Sequence, residues 1–175
     1  MSTPKGYRPA SPERIAERIA WAKAVALADG EDGAARAVLL FAAAYADADD
    51  QFVINYSDGD DLEIRRRERT IILCNAAIAD ETGLALAETN GSINRLAAAG
   101  LVKVKGNAKT LTFRGRVLAH VMQHKRIAYS QLNALMQPAA DKDVRIACRK
   151  LAADGCIDIT EVGGLPVYVD VRVES

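Results

Sequence analysis

A basic stretch without any acidic residue is the part of this sequence that points most directly to a chemistry. Residues 89–140 contain no Asp or Glu, although acidic and basic residues number 23 each in the whole chain. Lys and Arg neutralise phosphates, so the stretch predicts an anionic partner such as nucleic acid, and the alternative is a solvated basic face. Its basic residues are Arg95, Lys103, Lys105, Lys109, Arg114, Arg116, Lys125 and Arg126.

The formal net charge of zero hides an uneven distribution along the chain. Residues 1–61 carry 6 basic and 11 acidic side chains, whereas residues 62–175 carry 17 basic and 12 acidic ones. Arginines at positions 65, 66, 67 and 69 open the basic part, and they either contact phosphate or pair with the acidic residues that precede them. Overall neutrality is therefore compatible with a nucleic-acid partner.

Motifs for other kinds of chemistry are not recognisable in the sequence. We find no glycine-rich phosphate loop, no Gly-x-Ser-x-Gly motif and no legible Cys-His-Asp constellation. His120 and His124 have the spacing of two metal ligands on a helix, but no third ligand accompanies them. We therefore expect no enzymatic activity, no metal and no cofactor.

The composition indicates a globular protein rather than a membrane or disordered one. Half of the 175 residues are hydrophobic and 26% are charged. The longest nearly apolar run, Val38 to Ala46, is too short for a membrane span, which needs roughly 20 residues. The N-terminus has no apolar core of a signal peptide, and the odd number of cysteines favours reduced thiols. These features predict a cytoplasmic protein.

An acidic, helical N-terminal segment precedes the basic part of the chain. Ser11-Pro12-Glu13 is a typical helix start, and residues 34–47 are apolar almost all round, as in a helix buried in a core. Phe52 to Tyr56 is a candidate strand. The arginine-containing segment 62–74 is interpreted as a helix that ends near Cys74.

Residues 78–102 contain the pattern of two helices joined by a tight turn. Gly83 is suited to the turn, Ile93 and Leu96 are spaced to bury one face of the second helix, and Gly100 is suited to end it. Over about residues 75–113 the sequence resembles the winged helix-turn-helix family of bacterial DNA-binding proteins, such as the MarR and GntR regulators. The resemblance implies that the second helix, at about 86–99, enters the major groove of DNA.

A β-hairpin is predicted directly after this helix pair. Apolar and polar residues alternate on both sides of Gly106-Asn107, which is a typical hairpin turn, and the return strand is predicted to end at Phe113. The alternation predicts Lys103 and Lys105 on the outer face and Lys109 at the tip. In the family that the sequence resembles, such a hairpin is the wing, and basic wings contact the DNA backbone or minor groove.

Polar residues of the helix at about 86–99 are the candidates for reading bases. Asn suits adenine and Arg suits guanine. The acidic Glu88 and the helix-weakening Gly91 depart from the family pattern and disfavour sequence-specific reading by this helix. The alternative is a winged helix that serves as a protein-binding scaffold. The candidates are Thr89, Asn90, Ser92, Asn94 and Arg95.

A second copy of the pattern follows the first. Residues 115–175 again predict a helix, a short strand, two helices and a hairpin, with Ser130 as the N-cap of the helix that follows the strand. Leu151 to Ile157 parallels Leu96 to Val102 position by position. The second wing is acidic, with Asp158, Glu161 and Asp170, so we expect it to make no DNA contact. The basic residues of the helix at 141–154 could instead contact bases or phosphates; they are Lys142, Arg145, Arg149 and Lys150.

The sequence as a whole predicts a mainly α-helical fold with small β wings. We expect an N-terminal helical segment (1–61) that packs on the first winged helix or forms a homodimer interface, then winged helices at 62–114 and 115–175.

The expected function is sequence-specific binding of double-stranded DNA as a transcriptional regulator of bacterial, phage or plasmid origin. Two alternatives stay open. One is a plasmid or phage replication or partition initiator, whose winged-helix domains residues 38–54 also resemble. The other is a protein-interaction module, binding host polymerase or a chromosome-organising complex through the acidic N-terminal segment or the second wing.

Overall fold

The chain forms two compact units, residues 1–112 and 113–175. The computed structural model describes residues 31–52, 70–72 and 74–172, together with Glu13, Ala16, Glu17 and Ala20, which are helical and exposed. The sequence predicted three segments, with boundaries after residues 61 and 114, whereas the structure has two units and one boundary. The N-terminal segment belongs to the first unit, and the boundary lies between Thr112 and Phe113. The expected class, rich in helix with small antiparallel sheets, is confirmed.

The first unit combines helices with one small antiparallel sheet. Strand β3 lies in the centre of this sheet, between β1 and β2. The elements are α1 (Glu31–Phe52), β1 (Thr70–Ile72), α2 (Asn75–Thr82), α3 (Leu86–Ala98), β2 (Val102–Lys105) and β3 (Ala108–Leu111).

The second unit repeats the same order of elements: helix, strand, helix, helix, hairpin. Strand β6 is central in its sheet, between β4 and β5. The elements are α4 (Phe113–His124), β4 (Arg126–Ala128), α5 (Tyr129–Leu135), α6 (Asp141–Ala153), β5 (Ile157–Val162) and β6 (Leu165–Val171).

Helix α1 supplies much of the core of the first unit. Val38, Leu39, Leu40 and Phe41 are consecutive and all at most 3% exposed, which confirms a helix buried on several faces. The helix contacts α3, β1, α2 and β3. Helix α1 therefore packs against the elements that follow it in the chain, which is one of the two arrangements expected for the N-terminal segment. It also continues through Phe52, where a strand was predicted; residues 53–56 lie outside the described part.

Strand β1 corrects the predicted helix at 62–74 for residues 70–72. Thr70, Ile71 and Ile72 pair antiparallel with Thr110, Lys109 and Ala108 of β3. Three β-branched residues in a row favour a strand, but the pairing partner lies about forty residues further along the chain and is not visible in the local pattern. The preceding arginines at 65, 66, 67 and 69 lie outside the described residues.

The third helix of each unit is built on one plan. Helices α3 and α6 each have 13 residues and are offset by 55 positions in the sequence. At each helix end a backbone amide donates five residues back, Leu101 N to Leu96 O at 3.0 Å and Cys156 N to Leu151 O at 2.9 Å. The buried residues also correspond one to one: Thr89, Ser92, Ile93 and Leu96 in α3, and Val144, Ala147, Cys148 and Leu151 in α6.

Two local predictions at the edges of the second unit are wrong. Phe113 is the first residue of α4, not the end of the preceding strand. Helix α5 begins at Tyr129 with Ala128 in the N-cap position, so Ser130 lies inside the helix and is not its cap. Ala128 also ends strand β4, so the backbone passes from strand to helix without a polar capping residue.

Gly83 is the position at which backbone conformation limits substitution most directly. It links α2 to α3 with φ at 76°, and an added Cβ would meet no atom within 4 Å. We expect Gly83→Ala to lower the free energy of unfolding by about 1 kcal/mol through backbone strain alone. The matched change Gly91→Ala lies inside α3, where a Cβ would make an ordinary 3.5 Å contact with Arg95, and should stabilise by up to about 1 kcal/mol. Urea unfolding measures both; equal shifts would contradict the left-handed turn.

Cys148 lies in the core of the second unit and is 1% exposed. Burial raises the pKa of its thiol to about 11. Since only the thiolate is alkylated, a pKa near 11 leaves about one thiol in a thousand reactive at pH 8, in addition to the steric barrier.

We expect iodoacetamide at pH 8 to modify the exposed Cys74 well before Cys148 in the folded protein. Peptide mass spectrometry after timed quenching gives both rates in the same sample. In urea the two rates should converge, because burial of Cys148 is lost. Similar rates in the native protein would place Cys148 outside the core.

Candidate nucleic-acid interface

Helix α3 presents fewer predicted base-reading residues than expected. Thr89 and Ser92 are 0% exposed and lie on the face packed into the core, so the prediction that they read bases is wrong. Thr89 Oγ1 donates to the Ala85 carbonyl oxygen at 3.0 Å, and Ser92 Oγ accepts from Arg95 Nη2 at 3.2 Å. Both hydroxyls therefore satisfy local hydrogen bonds within the helix.

Asn90, Asn94 and Arg95 remain on the exposed side of α3. Asn90 Oδ1 accepts from Asn75 Nδ2, on the neighbouring helix α2, at 2.6 Å. Asn75 thus fixes the orientation of the Asn90 amide, a role that sequence reasoning missed. The two residues are 15 positions apart, and no local pattern signals their contact.

The first wing, the β2–β3 hairpin, has two faces whose residues are set by strand register. Val102 lies opposite Leu111 and Val104 opposite Lys109, so these four share one face. Lys103 lies opposite Thr110 and Lys105 opposite Ala108 on the other face. Both lysines are exposed, as the alternation predicted.

Lys109 is the clearest departure from the predicted site. It was expected at the exposed tip of the wing, but it is 4% exposed and lies in the central strand on the inner face. Its Nζ donates to the Asn107 carbonyl oxygen at 3.2 Å, and burial lowers the pKa of its amine from the ordinary value. Lys109 is therefore in no position to contact DNA.

Helix α6 turns its most exposed cations away from its buried face. At 100° per residue, Lys142 and Arg149 project opposite the buried Val144 and Leu151, and Lys150 lies on the flank toward α4. All three cations are exposed. At corresponding positions α3 has Ala, Asn and Arg, so α6 carries the more basic surface of the two helices.

Arg145, the fourth cation of α6, is only partly exposed and pairs with a carboxylate of the same helix. Its Nη2 lies 2.8 Å from Asp141 Oδ2, and its Nε is buried without a hydrogen-bond partner in the described part of the chain. Tyr129 Oη donates to Asp141 Oδ1 at 2.8 Å. Burial, followed by this hydrogen bond to Asp141, raises the pKa of the Tyr129 hydroxyl and keeps it a donor.

The remaining predicted basic residues lie on α4 and at the start of β4. Arg114 is 3.5 Å from Asp154, and Arg126 is 3.6 Å from Asp170 with its guanidinium 4.3 Å from the centre of the Tyr168 ring. Lys125 is exposed with φ at 64°, and Arg116 is half-buried. Two of these four are thus engaged by carboxylates of their own unit.

The second wing, the β5–β6 hairpin, is acidic and internally paired on its outer face. Arg172 Nη2 lies 2.6 Å from Asp158 Oδ1, and this contact raises the pKa of the arginine. Asp158 lies opposite Asp170 in the strand pairing, and Glu161 is exposed near the tip. This surface would repel phosphate.

Five cations stand out from the rest. They are exposed and form no ion pair with any residue in the described ranges: Lys103, Lys105, Lys142, Arg149 and Lys150.

The described residues contain no cluster of three metal-binding side chains. His124 Nδ1 lies 2.9 Å from the His120 carbonyl oxygen, so this ring nitrogen is engaged by the helix backbone. Across the same residues, no helix has the length and hydrophobicity needed to span a membrane.

No protein-family description, curated protein or solved structure matches this chain. The chemistry of the exposed cations therefore has to be argued from the surface itself.

The inner-face position of Lys109 is directly testable. Lys109→Glu buries a carboxylate beside Val104, so we expect a loss of about 2 kcal/mol or more in unfolding free energy. Lys103→Glu makes the same charge change on the exposed face of the same hairpin and should change it by about 0.5 kcal/mol or less. Urea denaturation followed by circular dichroism measures both. Equal destabilisation would contradict the register described above.

Proposed function

We propose that the chain is a tandem winged-helix protein that binds double-stranded DNA, with α6 and the first wing as its contact surfaces. The observation that carries the proposal is the set of five exposed cations on these two elements. None of the five is neutralised by a carboxylate in the described parts of the chain. Exposed unpaired cations are available to release counterions from phosphate, which is the main source of affinity for DNA.

The order of elements supports the winged-helix assignment. Both units run helix, strand, helix, helix, hairpin, and in both the last strand lies in the centre of the sheet. In the family that the sequence resembles, the third helix is the one that enters the major groove. The corresponding helices here are α3 and α6, and both leave one face free of their own core.

The two units differ in the DNA contacts that they can make. In α6, Lys142, Arg149 and Lys150 suit phosphate, and Arg149 can also donate to guanine. In the first unit, Asn94 occupies the position equivalent to Arg149, and Lys103 and Lys105 of the wing suit backbone contacts. We therefore propose that α6 dominates the affinity and that the first wing adds phosphate contacts.

A sequence-specific regulator in the cytoplasm of a bacterium, or of phage or plasmid origin, is the biological role that we propose for this activity. Such a protein discriminates its own site from other DNA by more than phosphate contacts. Binding to the DNA upstream of its own coding region, compared with an unrelated duplex of equal length, tests this role. Equal affinities for the two duplexes would leave only non-specific binding.

Arg149→Ala should weaken DNA binding without unfolding the protein, because Arg149 is exposed. We expect about fivefold to tenfold lower affinity and a decrease of about one in the slope of log affinity against log salt. Fluorescence anisotropy with a labelled duplex between low and moderate salt measures both values.

The matched control is Arg172→Ala. It removes the same charge from an exposed arginine, but one that is bound to Asp158 on the acidic wing. We expect less than about a twofold change in affinity. If both variants lose affinity equally, binding depends on net charge and not on α6. If the wild-type protein binds neither duplex at low salt, the proposed function is wrong.

A further inference from the structure

The tip of the second wing exposes apolar side chains that its own unit does not cover. Val162 is 67% exposed, Leu165 54% and Val167 37%. Val162 and Leu165 lie opposite each other across the Gly163-Gly164 turn, and Val167 follows on β6 at an irregularity in the strand pairing. Adjacent exposed apolar residues of this kind mark interaction sites more often than isolated ones do.

The β5–β6 hairpin is longer than the three-stranded part of its sheet. Strand β4 pairs only with Tyr168, Val169 and Asp170, so the hairpin continues beyond the three-stranded part of the sheet. The first wing has shorter strands, of four residues each, and a polar Gly106-Asn107 turn. The same fold is thus completed without an apolar extension, which indicates that the extension serves a contact outside the unit.

A groove on the same unit has apolar and charged lining residues that could complement the tip of the second wing. It lies between the start of α4 and one side of α6 and has a volume of about 350 Å³. Ile146, which is 47% exposed, lines it together with Phe113 and Ala147. Its charged lining residues are Arg114, Lys150 and Asp143; since Arg114 already pairs with Asp154 at 3.5 Å, Lys150 is the cation that the groove offers to a partner.

We propose that the tip of the second wing of one molecule docks into the α4–α6 groove of a second copy of this chain. The apolar tip residues would cover Ile146 and Phe113, and Glu161 beside the tip would approach Lys150. Glu161 is exposed and has no ion-pair partner among the described residues. Packing of two tips against each other would also bury apolar surface, but it would bring the two Glu161 carboxylates together, so charge favours the groove.

The proposed interface shares Lys150 with the DNA-contact surface proposed above, but the two proposals are tested by separate measurements. Lys142 and Arg149 project from a different side of α6 than the groove, which is lined by Asp143, Ala147 and Lys150. The oligomeric state can therefore be measured without DNA, and loss of DNA binding would not affect the result.

Leu165→Ser tests the apolar contact. Leu165 is more than half exposed, so the folded unit should tolerate the change. In sedimentation velocity at about 100 μM, we expect concentration-dependent association of the wild-type chain and an about tenfold or greater weakening in the variant. Val104→Ser is the matched control, since Val104 is 44% exposed on the first wing, and it should leave association unchanged. A wild-type chain that stays monomeric, or association unaffected by Leu165→Ser, would overturn the proposal.

A charge exchange distinguishes the groove from tip-to-tip packing. Glu161→Lys and Lys150→Glu should each weaken association, and the double variant should recover it. Tip-to-tip packing predicts little change for Glu161→Lys, because one pair of like charges replaces another, no effect of Lys150→Glu and no recovery in the double variant. That outcome would reject the groove.

Discussion

Four buried positions in the third helix of each unit constrain most of what the protein can present to a partner. They anchor α3 and α6 in their cores at the same spacing, and each Val, Leu or Ile buried there contributes about 1.5–3 kcal/mol. A helix fixed on one side can expose only the opposite side. This constraint removes Thr89 and Ser92 from the surface of α3, and it directs Lys142 and Arg149 outward from α6.

Strand register imposes a comparable constraint on the first wing. The pairing of Val102 with Leu111 places Lys109 on the inner face, because residues two apart along a strand share a face. Lys103 and Lys105 consequently lie on the outer face. The hairpin therefore contributes two exposed cations and one buried one, and its buried amine belongs to the packing of the unit.

The two units share an architecture but differ in surface chemistry. The first pairs a polar third helix with a basic wing, and the second pairs a basic third helix with an acidic wing that has an apolar tip. The two units thus present surfaces of different charge on similar frameworks, whereas the zero net charge of the chain reflects acidic residues 1–61 offsetting basic residues 62–175. The structure also shows that ion pairs within the second unit engage Arg114, Arg126 and Arg145, which reduces the number of cations available to a partner.

The sequence by itself determined the helices of the repeat, the turns at Gly83 and Gly100, both hairpins and the basic character of α6. These follow from local periodicity and glycine placement, which act over a few residues. Only the tertiary structure decided that residues 70–72 form a strand, that Lys109 is buried and that Asn75 holds Asn90. Strand β1 and the Asn75–Asn90 contact join residues distant in the chain. The burial of Lys109 depends on how its strand is packed within the unit. The pattern of residue types alone therefore did not specify them.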